Sequence, residues 1–190
     1  ENNIEAYLNL ANIYKENKYF NELIKIYEKI LSFNKNDIKT LYNIGSAYLF
    51  LGDISKGKYY FEKIIKINKN HIPSYRNYIS VTKITKKNEI FKKLELLNED
   101  VFSNDDKILF YDALSKGYFD QDNDELAFKY LEKSNSLKNK NTKFSFEKVE
   151  IEFKDTKNFF DKIGNVNINY KDTLKSRPIF IIGMPRSGTT

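Results

Sequence analysis

Apolar residues along most of this chain recur at spacings of three and four, the pattern of helices that bury one face. In YLNLANIY, Tyr7 to Tyr14, a bulky residue is followed three positions on by an apolar one, then a small one, and finally a tyrosine. LYNIGSAY, Leu41 to Tyr48, repeats this arrangement 34 residues later. The segments that follow agree as well, since Leu23, Tyr27 and Ile30 fall on Gly57, Phe61 and Ile64. A third occurrence is YDALSKGY, where Tyr111, Leu114, Ser115 and Tyr118 fill the same places and Ala127, Leu131 and Ser134 follow at the same spacings. Between them Tyr75, Tyr78 and Ile79 begin a degenerate copy, with Thr82 in the tyrosine position and about two extra residues. The pattern predicts four helical hairpins over 4–37, 38–71, 72–107 and 108–141, with turns at LGD (51–53) and DQDN (120–123).

Stacked hairpins of this size bury aromatic side chains between neighbours, so the tyrosines and phenylalanines read as core. His71 precedes Ile72 and Pro73 at a hairpin junction and reads as a surface linker residue, with Pro73 in the first turn of a helix. After the repeats the stripe Phe146, Val149, Phe153, Phe160, Ile163 predicts one more helix over 142–164, stopped by Gly164 and expected to cap the array. Residues 165–177 hold no sustained period and read as a linker.

The period and its small, aromatic and turn positions resemble the tetratricopeptide repeat, with Gly45, Tyr48, Gly52 and Phe61 in the matching places. Lys35 and Lys69 stand where that family usually has proline. The resemblance implies a solenoid whose first helices line a groove for a protein or peptide partner, here Asn12, Lys15, Tyr42, Ser46, Arg76 and Lys83. Such a set favours an acidic or carboxylate-bearing ligand.

Composition narrows the chemistry. The chain has 190 residues, of which 41% are hydrophobic, with 14 Tyr and 15 Phe, enough apolar bulk for a true core. It contains no cysteine, which excludes disulfides, thiolate zinc sites and cysteine nucleophiles within it. A single histidine excludes a histidine-based triad or a two-histidine metal site, so no metal is expected. The net charge of +6 is spread against 26 acidic residues, so no nucleic-acid partner is expected. No apolar run reaches the roughly 18 to 20 residues of a membrane span. The chain starts at Glu1, and both of its ends are expected to be truncated.

The segment 178–190 departs from the helical pattern. Ile179 to Ile182 form an apolar run after Pro178, which predicts a buried strand opening an α/β domain. Gly183 and Gly188 have the separation found in phosphate-binding loops, but Thr189 replaces the lysine of nucleotide hydrolases and Arg186 lies inside the loop. A guanidinium there holds a phosphate bidentately and neutralises a leaving oxygen, while Ser187, Thr189 and Thr190 add hydroxyl donors.

PIFIIGMPRSGTT is similar to the 5′-phosphosulfate loop of the sulfotransferases, in the form found in tyrosylprotein sulfotransferases and in bacterial sulfotransferases that carry tetratricopeptide repeats. That resemblance implies an all-α solenoid joined to the first strand and phosphate loop of a truncated α/β domain. It implies sulfuryl transfer from 3′-phosphoadenosine 5′-phosphosulfate to a hydroxyl or amine without a metal, in the bacterial cytoplasm. By carry-over Pro185, Arg186, Ser187, Gly188, Thr189 and Thr190 hold the donor, Arg186 also steadies the leaving group, and the general base lies beyond Thr190. The fragment by itself is expected to be inactive. Two alternatives stand beside this reading: a repeat scaffold without catalysis, and a nucleotide kinase or hydrolase with a variant loop.

Overall fold

A computed structural model describes residues 3–141 and 145–163. The expected linker, strand and phosphate loop, including Pro185, Arg186, Ser187, Gly188, Thr189 and Thr190, lie outside the described residues. The chain divides into two compact units, Glu1–Lys143 and Phe144–Thr190.

The first unit is built from helices paired as hairpins: α1 (Ile4–Glu16) with α2 (Phe20–Phe33), α3 (Ile38–Phe50) with α4 (Ile54–Ile67), α5 (Ile72–Ser80) with α6 (Glu89–Glu95), and α7 (Asn104–Phe119) with α8 (Asp124–Asn141). A single 3₁₀ turn, Glu99–Val101, precedes α7. The helices start where short polar side chains take up orphan amides. Asp37 accepts from the Thr40 N–H at 3.0 Å, Asp53 from Lys56 at 3.0 Å, and Asn88 from Phe91 at 2.9 Å.

They also end alike. The carbonyls of Tyr14, Tyr48 and Tyr118 accept from the N–H of Tyr19, Asp53 and Asn123 at 2.8, 2.9 and 3.0 Å. One residue before each donor the backbone turns left-handed, at Lys18 (φ 60°), Gly52 (φ 80°) and Asp122 (φ 58°). This is a Schellman ending repeated three times, and glycine occupies it only once. A lysine Cβ is strained in that conformation, so Lys18→Gly is expected to raise the unfolding free energy by about 0.5 to 1 kcal/mol. Asp122→Gly should gain less, because aspartate tolerates this region better. Urea unfolding of the two variants checks the order.

Between hairpins, asparagine does the work that the repeat family gives to proline. Asn34 Oδ1 accepts from Asn36 N–H at 3.1 Å, and one period later Asn68 Oδ1 accepts from Asn70 N–H at 3.0 Å. Each turn is locked by a side chain rather than a ring.

The core runs from Ala11, Leu23 and Tyr27 through Leu41, Ile44 and Phe61 to Tyr75, Phe91, Phe110 and Leu114. Tyr48 stacks on Tyr60 at 5.8 Å between ring centres, and the equivalent pair Tyr118 and Tyr130 stacks at 5.6 Å. Tyr75 is fully buried and its hydroxyl has no hydrogen-bond partner among the described residues, with the phenol pushed up to about 12 by burial. An unsatisfied buried hydroxyl costs more than it contributes. Tyr75→Phe is therefore expected to stabilise the protein by about 1 kcal/mol, read as a higher urea midpoint at unchanged slope.

The third hairpin is the irregular one. Its helices have only 9 and 7 residues. Ser80 Oγ donates to the Asn77 carbonyl at 2.8 Å and Thr82 Oγ1 donates to that of Tyr78 at 2.7 Å, where α5 ends. His71 lies at the hairpin junction as expected, at the N-cap position just before α5. It is half-buried at the start of α5, with Nδ1 at 2.9 Å from Ser74 Oγ and its ring 5.6 Å from that of Tyr42. Burial holds its imidazole below the usual value, with Asp106 opposing.

The described part of the second unit is α9 (Phe146–Ile163), which lies within the stretch expected for a terminal helix. Val149, Phe153 and Phe160 are exposed along one stripe of it.

Candidate functional site

The six residues expected to line a groove fall on the first helices with one exception. Asn12 and Lys15 are exposed on α1, Ser46 is half-buried on α3, and Arg76 is exposed on α5. Tyr42, on α3, is engaged within the fold. Its hydroxyl accepts from Asn77 Nδ2 at 2.9 Å, and its ring packs on Phe61 and His71. Lys83 lies past the end of α5, because that helix stops at Ser80, and its Nζ is 3.9 Å from Asp120.

Only Arg76 among the six borders a cleft of about 590 Å³ between α5, α7 and α8. Ile79, Ala113, Ala127, Phe128 and Leu131 supply most of its apolar wall, with Phe119 at one end. Phe119 is 64%, Phe128 62% and Leu131 41% exposed, so this apolar surface faces solvent.

The charges on its rim are unequal in availability. Asp112 accepts from Ser134 Oγ and from Lys138 Nζ at 2.8 and 2.9 Å, so its charge is compensated. Lys116 pairs with Asp120 and donates to the Thr82 carbonyl at 3.2 Å. Asp120 also accepts from the Ile84 N–H at 2.9 Å, which fastens the segment after α5 to the end of α7. Burial would raise the Asp120 carboxyl, but Lys116, the Ile84 amide and Lys83 outweigh it and hold the group below the usual carboxylate range. Among the described residues Arg76 has no such partner.

Sequence reasoning missed the exposure of Phe119, Phe128 and Leu131 because aromatic residues and apolar repeat positions were read as core. A signal was present. In the register that aligns Tyr48 with Tyr118, Phe128 stands where the second hairpin has Lys58. Among the described residues no group of three or more His, Asp and Glu is placed to hold a metal ion. No helix among them is long and apolar enough to cross a membrane.

A tetratricopeptide-repeat family model matches residues 4–37 and 38–71, the same bounds as the first two hairpins of the sequence pattern. These two units are tetratricopeptide repeats. Solved structures agree on the fold. A crystal structure of MamA is similar to this chain with a TM-score of 0.57 at 20% identity, covering 75% of this chain and 82% of that one. A MamA RS-1 ArsTM double mutant gives a TM-score of 0.58 at 20% identity over 72% of this chain and 76% of that one. The third and fourth hairpins fall outside the family match; the fourth shares the Schellman ending of the first two and the tyrosine stack of the second, and the third shares neither.

Proposed function

We propose that this chain is a protein-interaction scaffold whose tetratricopeptide hairpins present a surface to a partner protein. The observation that carries this reading is the division of labour along the array. Large apolar side chains close two core clusters, bridged by the partly buried Leu31 and Tyr60, along α1 to α8, while Asn12, Lys15 and Arg76 on first helices stay exposed and outside them. A solenoid of this kind offers area and shape rather than a reaction centre. The test is site-specific photo-cross-linking from positions 12, 15 and 76 in the full chain, with mass spectrometry of the adducts. A discrete partner, reduced by charge reversal at those positions, is the expected result. Adducts indistinguishable from those of a probe on the opposite helices would overturn it.

A second reading rests on one observation, the run PIFIIGMPRSGTT. In this reading Arg186 and the hydroxyl and backbone donors of Ser187, Gly188, Thr189 and Thr190 hold the 5′-phosphate of 3′-phosphoadenosine 5′-phosphosulfate, beside Pro185. The scaffold then serves a sulfotransferase by positioning its acceptor. Calorimetric titration with 3′-phosphoadenosine 5′-phosphate in the absence of magnesium tests it. Saturable binding that disappears in Arg186→Ala is expected, and equal heats from both proteins would refute the loop assignment.

A further inference from the structure

We propose that His71 makes the junction between the second and third hairpins sensitive to pH, closed while its ring is neutral and opened locally at the start of α5 when the ring takes up a proton. The proposal goes beyond the scaffold reading and does not depend on it.

His71 is the sole histidine of the chain, the residue type whose ordinary titration falls between about pH 5 and 8. The fold sets it where three helices approach one another. It is the N-cap residue of α5, its ring lies 5.6 Å from that of Tyr42 on α3, and Asp106 of α7 acts on it electrostatically. Its Nδ1 lies 2.9 Å from the hydroxyl of the fully buried Ser74. Tyr42 in turn accepts from Asn77 of α5 at 2.9 Å. The ring is thus one of the contacts that seat α5 on α3.

A proton disturbs these contacts. In the neutral ring Nδ1 accepts from the Ser74 hydroxyl and Nε2 carries the hydrogen. Once both nitrogens are protonated, Nδ1 can only donate, and Ser74 has to turn its hydrogen elsewhere inside a fully buried site. The charge also arrives at the N-terminal end of a helix, where the amides of the first turn already present partial positive charge. Half-burial removes part of the hydration that a cation needs.

The surroundings offer one compensation. From α3 the facing group is the uncharged ring of Tyr42, and from α5 it is Ser74. The turn after α4 brings the Asn68 carbonyl, which accepts from the His71 N–H at 3.2 Å, while Lys69 there is exposed. Asp106 favours the charged ring, but its carboxylate is also engaged by Ser103 Oγ at 3.0 Å at the start of α7. Burial outweighs Asp106 and holds the imidazole below its ordinary value. Neutral His71 therefore stabilises the closed junction above about pH 6.5, and that contribution is lost as the pH falls from there through the folded value. Tyr75, Tyr78 and Ile79 of α5 share a core cluster with Phe61 and Ile64, so release of the first turn of α5 loosens the third hairpin against the second.

Two measurements on the full, untagged chain test this. With one histidine, the imidazole C2 proton gives a single resonance, and its titration midpoint should fall below about 6.5. Hydrogen exchange read by mass spectrometry, corrected for the intrinsic effect of pH, should show residues 72–80 opening more at pH 5 than at neutral pH, with residues 20–33 as the unchanged control. The increase is limited to about thirtyfold, the proton linkage available over about 1.5 pH units. His71→Gln should abolish the difference, and Asp106→Asn should move the midpoint of the resonance lower still. Should His71→Gln loosen α5 at neutral pH as well, His71→Asn, a preferred N-cap residue, replaces it with the same expectation. A midpoint at or above 6.5 would overturn the proposal. So would an equal acid response in wild type and both variants, which would assign the effect to carboxylates elsewhere.

Discussion

Replacing Phe61 with alanine is expected to lower the unfolding free energy by about 3 to 5 kcal/mol, the largest effect of any single core truncation here. Phe61 is fully buried, and its ring lies 5.7 Å from that of Tyr42. It also fills the space above Gly45, where a Cβ would come within 2.9 Å of the ring. The side chain thus joins α3 to α4 within one hairpin and belongs to the same core cluster as Tyr75 and Ile79 of α5. In a linear array each hairpin depends on its neighbours, so loss of this contact weakens both the second hairpin and its junction with the third. Leu131 is the control, because it holds the same repeat position but is 41% exposed. Leu131→Ala is expected to cost under about 1 kcal/mol. Urea unfolding followed by circular dichroism measures both. Equal costs would mean that repeat position, and not burial, sets the energy.

Asp120→Ala is expected to cost about 2 kcal/mol at neutral pH. The substitution removes the acceptor of the Ile84 N–H and the counter-charge of Lys116, and Ile84 is itself fully buried. The figure is set below that of a wholly buried ion pair because Lys116 is partly exposed to water. Asp120→Asn keeps an acceptor for the amide and should lose less. The pH dependence gives an independent check. The Asp120 carboxyl is held below its unfolded value, so its contribution is present above about pH 4 and is lost as the pH falls through the folded value. Thermal melts of wild type and Asp120→Asn should therefore converge in acid and separate toward neutrality. A constant gap at all pH values would show that the carboxylate charge contributes nothing and that only shape matters.

Much of the fold was legible in the sequence because a repeat states the same physical requirement several times. The spacing of Tyr7, Leu10, Ala11 and Tyr14 recurs at Leu41, Ile44, Gly45 and Tyr48, and the matched repeats share its bounds. Turns at 51–53 and 120–123 were likewise predicted by residue type, and the left-handed backbone sits within both. Lys18 gave no such signal, since nothing in a lysine announces a positive φ. The third hairpin was recognisable only as a degenerate copy. The segment after the early end of α5 is tied by the Ile84 N–H to Asp120, 36 residues along the chain, a contact no local pattern announces.

The candidate site divides in the same way. The sequence by itself determined the helical period, the caps, the junctions and the exposure of Arg76 on a first helix, because each is decided by residues a few positions apart. It also carries the PRSGTT run, whose chemistry is readable from residue types alone. Only the tertiary structure decided that Tyr42 would be taken up by Asn77 and His71, that Lys83 would pair with Asp120, and that Phe119, Phe128 and Leu131 would face solvent around a cleft. A side chain's availability depends on what the neighbouring hairpin brings against it, and those neighbours are some 30 or more residues away in the chain.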